Sequence, residues 1–178
     1  MTYRIVKYPD PILEQKAEDV TNFNTPELDQ FIADMFESMY AAKGVGLAAP
    51  QVGVSQRLTV IDCTGGPHAS DDEKVEPEKI VLINPRIVHM EGKQVGEEGC
   101  LSIPGFREDV KRAKMCKVRA QDAKGEWFEI GGEDLLARAM QHEIDHLNGK
   151  LFISHISLLK RDMIKRKIKR KIQAGEWG

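Results

Sequence analysis

The run Gln141-His142-Glu143-Ile144-Asp145-His146-Leu147-Asn148-Gly149 contains the pattern His-Glu-x-x-His, and its reading decides how the rest of the chain is arranged. On an α-helix, residues four apart lie only ~40° from one another around the axis and about one turn apart along it. Their Cβ atoms are then about 5–6 Å apart, so both imidazoles, His142 and His146, can reach one ion at ~2.0–2.1 Å. Glu143 projects beside them, where a carboxylate can take a proton from water activated by that ion. The flanks fit a helix. Gly131-Gly132 precede it, Glu133 and Asp134 suit the positive end of its dipole, and Gly149 supplies a left-handed stop. Leu135, Ala139, His142 and His146 share one stripe, which predicts that the histidines face inward with the apolar side.

At 178 residues the chain is long enough to bury a core as one unit, and 30% charged with 41% hydrophobic residues is the balance of a soluble globular protein. The first residues hold no apolar signal-peptide run, and no later segment is long and apolar enough to span a bilayer. Three cysteines, Cys63, Cys100 and Cys116, do not form a disulfide framework, which fits a reducing cytoplasm. Charge is unevenly spread. Lys160 to Lys171 holds eight Lys or Arg against Asp162 alone, a local +7, so with a net charge of −2 the remainder carries −9.

Outward from the motif, Thr25-Pro26-Glu27 reads as a helix start, and Leu28, Phe31, Ile32, Met35, Phe36 and Met39 continue it with helical periodicity toward Ala42-Lys43. Ile5 to Leu13, broken by Pro9 and Pro11, suits an edge or a turn. Gly44 to Gln51, Gly-Val-Gly-Leu-Ala-Ala-Pro-Gln, lacks the Gly-Lys-Ser/Thr ending of a phosphate loop and reads as a tight loop allowing close backbone approach. Strands are expected over 57–63, 80–83, 86–90, 93–97, 107–112, 115–121 and 127–130, the last two as a hairpin, with a solvated loop over 64–78. Strands clustered before one long helix, without β-α alternation, predict an α+β fold with antiparallel sheets.

Two histidines leave a catalytic metal site short of its third protein ligand. The longer zinc-peptidase pattern fails, because Phe152 stands where its histidine belongs and His155 comes three residues late. Cys100, in the turn Glu97-Glu98-Gly99-Cys100-Leu101-Ser102, is the candidate; a turn cysteine beside a cation binds as thiolate. Cys63 and Cys116, inside strand patterns, read instead as small buried hydrophobes.

Gly44 to Gln51, Glu98-Gly99-Cys100-Leu101-Ser102 and Gln141 to Gly149, in this order, resemble the motifs of peptide deformylases, and Tyr8-Pro9-Asp10-Pro11 is similar to that family's N-terminal segment. The resemblance implies antiparallel sheets around the His-Glu-x-x-His helix, with a metal on Cys100, His142 and His146 and one position left for water. It implies Glu143 as general acid/base, and Gln51 with the Leu101 N–H as oxyanion stabilisers. The metal implied is one divalent ion, iron(II) natively, with zinc, nickel or cobalt found after purification. The implied reaction removes the N-formyl group from the first methionine of nascent polypeptides and releases formate. Positions implied to line the methionine pocket are Val45, Gly46, Glu98, Arg107, Leu135, Arg138 and Ala139. Arg138 departs from the family, many of whose members are apolar there; either its stem lines the pocket while the guanidinium reaches solvent, or the pocket differs.

Residues 1–155 are thus expected to form the catalytic domain and 156–178 a basic C-terminal helix and tail. Ile164, Ile168 and Ile172 form one column of that helix among Lys and Arg, an electrostatic footprint suited to RNA. In bacterial members of the family such a helix docks at the ribosomal tunnel exit, and neither a membrane nor DNA is an expected partner. Two rival functions are a zinc endopeptidase, motivated by the helix alone, and an RNA-binding module with a structural metal, which would need a fourth protein ligand.

Overall fold

The computed structural model describes residues 1–67 and 76–178, and the helix start at Thr25-Pro26-Glu27 is in place. The Thr25 hydroxyl accepts the Leu28 N–H at 3.1 Å, and Pro26 sits in the first turn, where its missing donor is no loss. Helix α1 (Pro26–Ala41) buries Leu28, Ile32, Met35, Phe36 and Met39. Among the described residues seven strands follow: β1 (Gly46–Ala48), β2 (Leu58–Ile61), β3 (Ile80–Glu91), β4 (Gln94–Cys100), β5 (Ile103–Arg112), β6 (Met115–Gln121) and β7 (Trp127–Glu133). They form a five-stranded sheet in the order β1-β2-β3-β6-β7 and a separate β4-β5 hairpin, with every ladder antiparallel. The fold is α+β.

Successive side chains of a strand point to opposite faces, and the large sheet uses both. Leu58, Val60 and Ile83 pack against α1, while Ile61, Leu82, Cys116, Val118 and Ala120 pack against the motif helix α2 (Asp134–Leu147) through Ala137, Ala139, Met140 and Ile144. Buried Arg57 donates to the Leu147 carbonyl at 2.9 Å and to Asn148 Oδ1 at 3.1 Å, placing a cation on the negative end of that helix. Gln141 pins the β5–β6 turn: its Oε1 accepts the Ala113 N–H and its Nε2 donates to the Ala113 carbonyl, both at 3.0 Å. Gly149 stops the helix region with φ +74°, and a Cβ there would lie 2.8 Å from the Glu14 backbone.

Several local expectations change. The Gly-Val-Gly-Leu-Ala-Ala-Pro-Gln run is not only a loop, because Gly46, Leu47 and Ala48 pair with Ile61, Val60 and Thr59 as β1 before a 3-10 turn at Ala49–Val52. The runs expected over 80–83 and 86–90 are one strand. Asn84 absorbs the break with φ +49°, its side chain bonding both backbone groups of Val20 and Gln121 Oε1. Strand β7 continues to Glu133, so α2 begins at Asp134. Leu135, in the first turn of α2, is 48% exposed and not buried, because it lines an open cleft with Ala139 and His142 of the same stripe. The loop expected over 64–78 lies partly outside the described residues.

The N-terminal segment forms no strand of the sheets but braces two site loops: the Val6 N–H donates to Gln51 O at 2.7 Å and the Tyr8 N–H to Ser102 O at 2.9 Å. Helix α3 (Leu158–Gln173) is seated by Ile164 and Ile168 in a cluster with Leu13, Ile103, Val110, Phe152 and Trp177. The expected third column residue, Ile172, is exposed, and Trp177 joins the cluster beyond it, donating from Nε1 to the Tyr8 carbonyl at 2.5 Å. Among the described residues no helix is long and apolar enough to cross a membrane.

Asp62, fully buried just after β2, joins the sheet to α1. It accepts the Tyr40 hydroxyl at 2.6 Å and the Thr64 N–H at 3.0 Å. Burial opposes its charge, but the Thr64 and Tyr40 hydrogen bonds outweigh burial and lower its pKa. A carboxyl with a depressed folded pKa stabilises the fold above the unfolded pKa of about 3.9 and loses that contribution as pH falls through the folded value. Asp62→Asn is therefore expected to lower unfolding free energy by about 1–3 kcal/mol at pH 7. In urea melts run at decreasing pH, the gap to the parent should close below about pH 4.

Candidate active site

Strand β4 ends at Cys100, the chain turns through Leu101-Ser102, and β5 returns. Helix α2 brings its two histidines to that turn. Cys100 Sγ lies 3.4 Å from His146 Nε2, and His146 Nε2 lies 3.1 Å from His142 Nε2. The three donor atoms all fall within 4.8 Å of one another, and they are the one such group of His, Cys, Asp or Glu among the described residues. A tetrahedral ion with metal–sulfur and metal–nitrogen bonds of ~2.3 and ~2.0–2.1 Å holds its nitrogens about 3.3 Å apart and sulfur about 3.6 Å from nitrogen. The two spacings that meet at His146 Nε2 match that cage to within a few tenths of an ångström and the third lies within 4.8 Å, so the residues fit a metal. Three protein donors is the number that catalytic metal sites use, and the described residues do not supply the fourth ligand that a closed structural site has.

Glu98 explains which ring nitrogen faces inward at His142. The carboxylate is 5% exposed, and its Oε1 takes His142 Nδ1 at 2.8 Å, leaving Nε2 toward Cys100 and His146. Arg112 grips both carboxylate oxygens, from Nε and Nη2, at 2.9 Å each, and Arg138 Nη1 adds a further bond to Oε2. Burial works against the Glu98 charge, yet the bonds from Arg112 and His142 outweigh it and hold its carboxyl well below the usual range. Arg112 also reaches Asp145 at 2.6 Å, and Asp145 in turn faces His155 at 2.8 Å, so His155 serves this outer network and not the inner cage. His146 is almost wholly enclosed, and its Nδ1 has no partner among the described residues.

Glu143 lies on the cleft side of the cage. Its Oε1 is 3.9 Å from His142 Nε2 and its Oε2 is 3.5 Å from the Thr59 hydroxyl. Burial is the main influence on it and raises its pKa to about 7. Strand β1 passes directly over this side chain: a Cβ on Gly46 would lie 2.9 Å from Glu143 Cγ and Cδ. Gln51 is oriented from both ends, its Oε1 accepting the Ala48 N–H at 3.0 Å and its Nε2 donating to Ser102 Oγ at 3.1 Å, with Cys100 Sγ 3.5 Å away.

These groups open on a cleft of about 560 Å³. Val45, Gly46, Gln51, Glu98, Cys100, Leu101, Arg107, Leu135, Arg138, Ala139, His142 and Glu143 all line it, and His146 lies behind them. Arg107, on the exposed rim, pairs with Glu97 at 2.5 Å. The expectation of a solvent-reaching Arg138 guanidinium is not met: the residue is 8% exposed and its head turns inward to Glu98. Sequence reasoning missed Ser102, Arg112, Thr59 and Asp145. Ser102 and Asp145 sit inside the quoted motifs, but nothing in one sequence marks Arg112 or Thr59 as partners of Glu98 and Glu143.

A polypeptide deformylase family profile matches residues 2–162. The peptide deformylase of Acidobacterium capsulatum is 61% identical over 174 residues, covering 97% of each chain. Among solved structures, the peptide deformylase of Legionella pneumophila superposes with a TM-score of 0.85 at 48% identity, covering 98% of each chain. That of Thermus thermophilus gives 0.85 at 38% identity, covering 99% of this chain and 98% of its own. With motifs, fold and cage geometry in agreement, the chain belongs to the polypeptide deformylase family.

Proposed function

We propose that Cys100, His142 and His146 hold one divalent metal ion, natively iron(II) with zinc, nickel or cobalt able to replace it, and that Glu143 works beside it as general acid/base. The chain is a metal-dependent hydrolase that removes the N-formyl group from the first methionine of nascent polypeptides. The observation that carries the site assignment is the convergence of one sulfur and two imidazole nitrogens within 4.8 Å, next to a buried carboxyl. A bound cation supplies Lewis acidity there, acidifying water and polarising the formyl carbonyl.

The remaining steps belong to side chains. Glu143, pitched near neutrality at about 7, takes a proton as water adds to the formyl carbon. When the carbon–nitrogen bond breaks, Glu143 returns that proton to the departing amine, leaving formate and a free amino terminus. Negative charge on the formyl oxygen is met by the Gln51 amide and the Leu101 N–H, and one such donor contributes about 2.7–4 kcal/mol to the transition state. Gln51 suits this role because Ala48 and Ser102 fix its plane before substrate arrives. Val45, Gly46, Glu98, Leu135, Ala139 and the aliphatic stem of Arg138 receive the methionine side chain, with Arg107 on the rim toward the following residues.

Residues 1–155 carry this chemistry. Residues 156–178 form the basic helix and tail, which dock the enzyme on ribosomal RNA near the tunnel exit, in the cytoplasm. The support is electrostatic: Lys165, Arg166, Lys169 and Arg170 are all exposed, while Ile164 and Ile168 anchor the helix to the body.

Glu143→Gln should reduce formate release from a formyl-methionyl peptide by about 10²–10⁴-fold while metal analysis still finds one ion per chain. Loss of the ion together with activity would remove Glu143 from the acid/base role. Gly46→Ala should also depress turnover, by crowding Glu143, with metal content unchanged; wild-type turnover would show that β1 yields freely. Reversing Lys165, Arg166, Lys169 and Arg170 to Glu should leave peptide turnover intact but weaken ribosome binding, with a shallower salt dependence in sedimentation assays. Equal affinity of parent and variant would dispose of the docking role.

A further inference from the structure

Arg138 stands one helical turn before His142, on the side of α2 that meets the β4-β5 hairpin. Its Nη1 donates to Glu98 Oε2 and to the Val110 carbonyl, the latter at 3.0 Å, and its Nη2 reaches Gln94 Oε1 at 3.3 Å. Gln94 is itself fixed, donating to the carbonyls of Ala113 at 3.0 Å and Asp134 at 2.9 Å. Glycine at residue 96 eases the approach of the guanidinium: a Cβ there would lie 3.0 Å from Arg138 Nη2, close enough to push it by a few tenths of an ångström. A long cationic side chain has thus been turned away from solvent and locked at three acceptors on both strands of the hairpin.

All three acceptors stand on the hairpin that ends in Cys100, and one of them is the carboxylate that sets the orientation of His142. With Arg138 in place Glu98 receives four donors, two on each oxygen, and has no free rotation about its terminal torsion. Arg112 bridges both oxygens from β5 and is itself held by Asp145 at 2.6 Å, while Arg138 supplies the second donor on Oε2 and the only arginine bond to Glu98 that comes from α2. We propose that Arg138 is a positioning residue for the metal centre: its guanidinium clamps Glu98 between α2 and the β4-β5 hairpin, so that His142 presents Nε2 to the cage shared with Cys100 and His146. This rests on the metal-site reading above and deepens it. Such outer partners typically alter metal affinity by about 10–100-fold when removed. The stem of Arg138 still faces the cleft, but its head acts on the histidine and not on the substrate.

The test uses full-length protein loaded with cobalt(II), whose visible absorption reports ligand geometry, in three forms: parent, Arg138→Met and Arg138→Lys. Arg138→Met keeps the stem and removes the fork; it should release cobalt to excess chelator about tenfold faster or more, with altered d–d bands. Arg138→Lys can reach Glu98 or Val110 but not hold both, so it should fall between the two. Gly96→Ala, which crowds the guanidinium without deleting it, should shift release in the same direction and covers the case in which Arg138→Met does not fold. Release rates and spectra within twofold of the parent in both Arg138→Met and Gly96→Ala would overturn the proposal. Failure of the parent itself to bind cobalt through Cys100 and the two histidines would strike the underlying site reading.

Discussion

A carboxylate enclosed by protein is tolerable only when donors replace the water it has lost, and Glu98 imposes that demand on three parts of the fold at once. Its partners come from β5 (Arg112) and α2 (Arg138 and His142), while Glu98 itself belongs to β4. The hairpin that ends in Cys100 and the helix that carries both histidines are therefore joined by a buried cluster of charged hydrogen bonds. The hairpin shares no ladder with the five-stranded sheet. The Gln141 and Gln94 bonds tie the far end of the hairpin to the helix, but near the thiol and the imidazoles it is this joint that sets the angle, since apolar contacts fix area better than they fix angle.

Close approach is the second constraint. The strand above Glu143 and the strand beside Arg138 each use a glycine where a Cβ would crowd the side chain below, at residues 46 and 96. Both polar groups are thereby shielded from bulk water by backbone, which strengthens their electrostatic interactions without adding an apolar side chain to the cleft. The N-terminal segment contributes in the same spirit: two backbone hydrogen bonds tie it to residues 51 and 102, whose side chains bond each other.

Much of the fold and the cage was legible in the sequence because it obeys local rules. Helix spacing fixes His142, Glu143 and His146 relative to one another wherever the helix lies, and Thr25-Pro26 starts a helix by capping alone. What escaped was set by partners distant in the chain. Residues 46–48 are a strand only because residues 59–61 are there to pair with them, and no alternation marks three residues as β. Leu135 is exposed because its stripe faces an open cleft, whose other wall comes from residues 43–46 and 97–107. The inward turn of Arg138 depends on a carboxylate 40 positions away, with Val110 and Gln94 completing its surroundings, and no reading of local pattern brings those groups together.

The β2 segment touches α2 at two matched points. Arg57, at the start of that segment, meets the helix at residue 147 and Thr59 meets it at residue 143, so two steps along the strand match one helical turn run in reverse. Two strand residues advance about 6.6 Å and four helical residues about 6 Å, so the two scales are nearly commensurate. The strand works as a ruler laid against the helix, graduated at the very pitch that separates the Glu143 carboxyl from the helix end. Inserting or deleting a single residue between the two marks would turn one of them to the far face of the sheet. Length at this place is therefore far less negotiable than side-chain size.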